Sequence, residues 1–251
     1  MQRSSLVVAC AVLALTGARL GAQTADEVIA KNVAARGGLE KVKAVQSLRM
    51  TGTVGIGPGM QAPLVLEIKR GGRLRSEVTV DGKVGVQTFD GTSGWALMPF
   101  MGQTEAQALP AEAVKDAQEQ SDLDGPLVDY QKKGHKVELV GKDQASGVDA
   151  YRLRVTLKSG SVRDIWIDAA SWLEIRGESS RSMGGRVMES ETTLGDYRDV
   201  GGLKLPHRVE GGPKGRSEKQ AIVISKIEVD PVIDDARFAK PTAAPSTGKP
   251  I

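Results

Sequence analysis

Along most of the chain apolar and polar positions alternate with a period of two, the spacing of strands that bury one face. The stretch from Val148 to Arg176, VDAYRLRVTLKSGSVRDIWIDAASWLEIR, carries the pattern most clearly. Tyr151, Leu153, Val155 and Leu157 alternate with Arg152, Arg154 and Thr156, which predicts a strand. Ser159-Gly160 supplies a tight turn. Val162 to Asp168 is β-branched and aromatic, Asp168 to Ser171 turns again, and Trp172 to Arg176 begins a third strand. The register of this meander depends on the length of its first turn. A two-residue turn sets Leu157 opposite Val162 and gives Trp166 the face of Leu153; a three-residue turn gives that face to Ile165 and Ile167 and turns Trp166 away. A one-residue slip exchanges the faces. Three strands cannot hide a face alone, so the pattern also requires further strands and something laid across the apolar side.

The flanking sequence supplies both. Thr24-Ala-Asp-Glu27 is a capping box, and Val28, Ile29 and Val33 behind it share one helical face, with Gly37-Gly38 as the stop. Leu39, Val42 and Val45 suggest a second short helical piece. From Ser47 the period changes: Met50 to Ile56 and Leu64 to Lys69 read as strands around Gly57-Pro-Gly59. Arg73 to Val80 and Lys83 to Phe89 are joined by Asp81-Gly82, the strongest hairpin signal in the chain. Gly94 to Met98 is a further strand, followed by the apolar Pro99-Phe-Met-Gly102. Pro110 to Gln120 is helical, and Leu127 to Lys133 is predicted as a second short helix ending at Gly134. After it come strands over His135 to Gly141, over Arg186 to Arg198 with a bend expected at Gly195, over Leu203 to Glu210 with Pro206 within it, and over Ala221 to Val229, with Phe238 closing the core. About eleven strands, with the helix confined to the start and one insertion, predict an α+β fold built on an antiparallel sheet.

The first 22 residues have the form of a secretory signal: Arg3, an apolar run from Leu6 to Leu15, and small residues to Ala22. That run is too short for a membrane span. The only cysteine, Cys10, falls inside it, so the exported chain would hold no disulfide. The expected organisation is a signal at 1–22, one domain at 23–240 and a tail at 241–251, rich in Pro, Ala, Thr and Gly, that should be disordered. Loss of Arg3 and Arg19 lowers Lys plus Arg from 34 to 32 against 31 acidic residues, a net charge of +1. Without a basic cluster interleaved with aromatics, nucleic-acid binding is excluded. Aromatics make up only 4% of the chain, so the core must be aliphatic.

Chemistry is sparse. His135 and His207 have no second ligand at metal spacing, no Gly-x-Ser-x-Gly elbow occurs, and no thiol is left for nucleophilic work. The paired glycines do not stand in strand-to-helix phosphate loops. Asp164 and Asp168 share a strand face and could form an acid–base pair, although Asp168 also suits the start of its turn. No catalytic residue, cofactor or metal is therefore expected. The apolar positions are more informative. Trp95, Met98, Phe100 and Met101 crowd one strand end and loop beside the helical insertion. They read either as core under a lid or as the mouth of a ligand cavity lined by adaptable side chains. With Tyr151, Leu153, Val155 and Trp166 of the central meander they form the candidate ligand-binding set.

Five segments together resemble the bacterial outer membrane lipoprotein-sorting proteins of the LolA-like superfamily. They are AARGGLEKVKAVQSLRMTG (34–52), DGTSGWALMPFMG (90–102), DGPLVDYQKKGHKVELVGK (124–142), YRLRVTLKSGSVRDIWID (151–168) and DYRDVGGLKLPHRVE (196–210). The resemblance implies an antiparallel half-barrel whose concave face is apolar and covered by helices, with Pro110–Gln120 and Leu127–Lys133 as a lid. It implies a monomeric periplasmic carrier or binding protein for lipoproteins or other lipid-like ligands, holding acyl chains without covalent chemistry, with membrane-bound donor and acceptor proteins as partners. An envelope sensor or scaffold that binds protein, and a secreted hydrolase using carboxylates, are the alternatives.

Overall fold

The computed structural model describes residues 23–183 and 186–242. The signal at 1–22 with Cys10, and the tail from 243 onward, lie outside the described residues. Thr24 caps α1 (Ala25–Ala35) with the capping box its sequence predicts, and Gly37, at φ +125°, ends it. α2 (Leu39–Ala44) follows directly.

Among the described residues thirteen strands form one open antiparallel sheet. From β1 (Ser47–Gly57) the chain meanders outward through β2 (Met60–Lys69), β3 (Arg73–Val80), β4 (Lys83–Phe89), β5 (Gly94–Leu97) and β6 (Gln107–Ala108) to one edge. It then crosses to the far edge by way of α3 (Ala111–Gln120) and residues 121–135. From there it meanders inward through β7 (Lys136–Ala145), β8 (Val148–Thr156), β9 (Val162–Asp168), β10 (Glu174–Met183), β11 (Arg186–Val200), β12 (Leu203–Pro213) and β13 (Gln220–Val229). β13 closes on β1, so the first and last strands are neighbours at the centre. Because β6 and β7 are the two unpaired edges, the crossover must traverse a sheet face, and this puts α3 over the strands.

The strand count exceeds the predicted eleven partly because β6, two residues long, is too short to show a period. Three further expectations are corrected. Leu127–Lys133 is a run of turns, with Asp129 at φ +50°, rather than a helix; Leu127 and Val128 are nonetheless buried in the core. The third strand of the central meander begins at Glu174 and not at Trp172, whose φ of +61° belongs to the turn. The irregularity expected at Gly195 falls on its neighbour Asp196, at φ +50°, while β11 continues through it. Pro206 is tolerated inside β12 because only Arg208 to Gly211 pair with β13. In the gap left beside residues 203–207, the backbone N–H of Lys204 donates to the carbonyl of Arg36 at 3.0 Å.

Strand pairing assigns the faces. Five residues, 157–161, separate the pair Thr156–Val162, so Leu153 faces Ile165 and Arg152 faces Trp166. An odd loop selects the register in which Trp166 points away from Leu153. The main core joins Leu48, Leu153, Val155, Ile165, Ile167, Ile224 and Ile227 of the sheet to Val28, Ile29, Val33 and Val42 of the helices and to Leu127 and Val128. α3 contributes Ala117 to a second cluster with Ile68, Leu74 and Phe89. We call this side the helical face. The opposite face is laced with cross-strand ion pairs, such as Arg154 with Asp164 and Arg49 with Glu67, and Asp235–Phe238 packs against β3 and β4 there, with Phe238 fully buried.

Candidate functional site

The helical face divides into two halves. At the helix end, Leu48, Ile68, Leu74 and Phe89 meet residues of α1, α2 or α3. Farther along the same strands, Val54, Ala62 and Leu64 pack with Val78, Val80 and Ile222 in a cluster that contains no helix residue. Val78 is paired with Gly85 of β4. A Cβ at Gly85 would fall 2.7 Å from Met98 Sδ and 2.8 Å from Phe100 Cζ, so the glycine is what allows these two side chains to lie against this half of the face.

Between α3 and the sheet are two recesses that share Pro126 and Arg163 as walls. One, of about 360 Å³, runs over β9–β11 past Gln120, Ile165, Glu174, Ser179 and Thr192. The other, of about 520 Å³, lies between α3 and the β8–β9 loop. Glu174 reaches the first because of a β-bulge. The pairing of β10 with β9 shifts between Glu174 and Arg176, so Glu174 faces Ile167 while Arg176 turns to the far side with Trp166. The Glu174 carboxylate has no hydrogen-bond or ion-pair partner among the described residues. Burial pushes its pKa up to about 7, with the charges of Arg36 and Arg163 pulling the other way. Tyr197, whose hydroxyl donates to the Glu174 carbonyl at 2.7 Å, is raised as well, by burial first and then by the Glu174 charge.

Solved structures of similar shape include a DUF1329 family protein from Desulfovibrio piger, with a TM-score of 0.58 at 14% identity over 85% of this chain and 96% of that one. A LolA superfamily protein from Nitrosomonas europaea gives 0.57 at 14% identity, over 87% of this chain and 99% of that one. The fold is LolA-like. A Vibrio parahaemolyticus domain described as an outer membrane lipoprotein-sorting protein gives 0.54 at 11% identity, over 84% of this chain and 94% of that one. No protein-family model matches the sequence, and no curated protein matches it. At these identities the likeness is one of fold.

Within the LolA-like sheet the eight predicted site residues do not form one group. Met98 and Phe100 lie on the helical face against Gly85. Met101 beside them is 72% exposed. Trp95 pairs with Thr88, whose neighbour Phe89 points to the helical face, so Trp95 points to the other. Leu153 and Val155 are fully buried in the main core. Tyr151 stacks on Trp172 at 5.2 Å, with Lys31 over the far ring. Trp166 lies on the opposite face between the guanidinium groups of Arg152 and Arg176.

The polar candidates resolve into structural roles. Burial would raise Asp164, but hydrogen bonds from Arg154 and Arg152 outweigh it and hold its pKa below the usual carboxylate value. Asp168 is likewise held low, by the N–H and hydroxyl groups of its own turn. Neither is poised to exchange a proton near neutrality. His207 is buried with Nδ1 at 3.1 Å from the Leu205 carbonyl, and no cluster of metal-ligating side chains occurs among the described residues. Glu174 was hidden from sequence reasoning because only the bulge decides its face. The sole signal was an acid set between Leu173 and Ile175 in an otherwise apolar run.

Proposed function

We propose that this chain is a periplasmic carrier or binding protein for lipoproteins or other lipid-like ligands, and that it holds acyl chains on the helical face without covalent chemistry. The observation that carries the reading is the apolar cluster of Val54, Ala62, Leu64, Val78 and Val80, which continues the helical face beyond the helices and is flanked by Met98 and Phe100. Transferring an acyl chain from water is worth ~0.8 kcal/mol per methylene, so a chain of ~14 carbons brings roughly 11 kcal/mol before the costs of association. Val54, Ala62 and Leu64 are buried already, but Val78, Val80, Met98 and Phe100 are only half-buried and can give up further surface to such a chain, with Met and Phe adapting to chains of different shape. The engaged states of Asp164 and Asp168 favour binding over hydrolysis. The signal expected at 1–22 and the LolA-like fold support an envelope location, and no helix among the described residues is long and apolar enough to cross a membrane. Membrane-bound donor and acceptor proteins fit the same reading.

The test is to purify the protein from its native envelope and extract it for mass spectrometry. Lipid or acylated peptide in stoichiometric amount is the expected result. Ligand-free protein that also fails to take up a fluorescent fatty acid would rule the reading out.

A further inference from the structure

The recess of about 520 Å³ between α3 and the β8–β9 loop differs in charge from the rest of the helical face. Four cations line it: Lys115, Lys133, Lys158 and Arg163. Its two acids are both taken. Glu119 pairs with Arg163 and accepts from the Ser159 hydroxyl at 2.9 Å; Asp122 pairs with Lys133 at 2.6 Å. Lys115 and Lys158 remain, with no ion-pair partner among the described residues. The stem of Lys158 packs across Gly134.

His135 lies in the same wall. The backbone N–H of Lys158 donates to its Nδ1 at 3.0 Å. Nδ1 is therefore unprotonated, and the ring proton sits on Nε2 as a donor. Burial, followed by the charge of Lys133, lowers the His135 pKa and favours this neutral form. The recess thus offers two unneutralised ammonium groups and a fixed neutral donor. It also has an apolar side. Leu157, 6% exposed, and Pro126 line it.

A pocket with cationic donors beside an apolar wall of Leu157 and Pro126 matches the acidic head and first methylenes of an amphiphile. We propose that this recess takes the carboxylate or phosphate of an anionic single-chain amphiphile between Lys115 and Lys158, with His135 Nε2 as a third donor and the first methylenes against Leu157 and Pro126. The inference rests on the carrier reading and adds to it the class of ligand. The two acids cannot serve as competing occupants, because each already neutralises a different cation. A neutral ester of the same chain keeps the apolar contacts and loses the charge-assisted hydrogen bonds, so the two contributions can be measured separately.

The experiment is displacement of a fluorescent fatty acid from the full chain by palmitate, by methyl palmitate and by a lysophosphatidate of equal chain length, in the wild type and in the double variant Lys115→Gln/Lys158→Gln. Both lysines are exposed, so the variant should melt as the wild type does. The wild type should bind an acidic amphiphile about tenfold or more tightly than the ester, and the double variant should lose that preference while keeping its affinity for the ester. The more tightly bound acid identifies the head as carboxylate or phosphate. Lys158→Arg should keep the preference. Equal binding of acids and ester by the wild type, or a preference that survives in the double variant, overturns the head-group site and leaves the carrier reading standing. Failure of acids and ester alike overturns both.

Discussion

Glu174 is an acid turned toward the sheet's helical face without a hydrogen-bond or ion-pair partner among the described residues. Its ordinary pKa near 4.5 is raised to about 7 in the folded chain. Between those values the folded state holds a proton that the unfolded state has released, so stability falls as pH rises through this window and is level above it. Full expression of such a shift would be about 3 kcal/mol, and water reaching the half-buried carboxylate reduces it. Glu174→Gln keeps the shape and removes the charge. Thermal melts should show the variant more stable than the wild type at pH 8, with the difference shrinking as the pH falls and vanishing below the unfolded value near 4.5. Parallel curves for the two proteins across that range would mean that the carboxylate is well solvated.

Among the helices, α3 buries the smallest share of its residues. Ala117 is its one fully buried side chain, and Glu119 ties its C-terminal end to Arg163 and Ser159. By contrast, β8 buries Leu153 and Val155 completely and is paired on both sides, with β7 and with β9. Local opening follows from few buried contacts and exposed hydrogen bonds. Amides of 111–120 should therefore exchange hydrogen faster than those of 151–156, and Glu119→Gln should speed the helix further while leaving the strand unchanged. Equal protection in the two segments would make α3 a fixed part of the core rather than a lid. Residues 121–126 behave differently, because Asp124 receives the Arg70 guanidinium in two hydrogen bonds of 2.9 and 3.2 Å, and its carbonyl accepts from Arg36 at 3.0 Å. Motion is thus expected to be centred on the helix.

At the scale of the whole molecule, the question is whether the apolar half of the helical face serves a ligand or only itself. Met101 separates these possibilities, since at 72% exposed it carries little of the fold. A charge placed there stays in water, so Met101→Asp should keep a cooperative melt. Beside Met98 and Phe100 it would nonetheless oppose the entry of hydrocarbon, and the affinity for a fluorescent fatty acid should drop about tenfold or more. Undiminished affinity in the folded variant would remove this loop from the ligand path.

The sequence by itself determined the features that depend on neighbours along the chain. The capping box at Thr24, the Asp81-Gly82 hairpin, the alternation through Tyr151 to Leu157 and the class of fold all follow from local geometry and a period of two, and the segments resembling the lipoprotein-sorting proteins led to the same LolA-like sheet. Tertiary structure alone decided what depends on register and on distant partners. The five-residue loop after Thr156 turned Trp166 away from Leu153, the bulge at Ile175 brought Glu174 to the helical face, and strand pairing set Trp95 apart from Met98 and Phe100. Each is a shift of one residue, and with a period of two one residue is enough to exchange the faces of a strand. The charged recess was hidden for another reason. Lys115, His135 and Lys158 come from three segments that meet only because the crossover from β6 to β7 must pass over the sheet, a consequence of joining its two outermost strands.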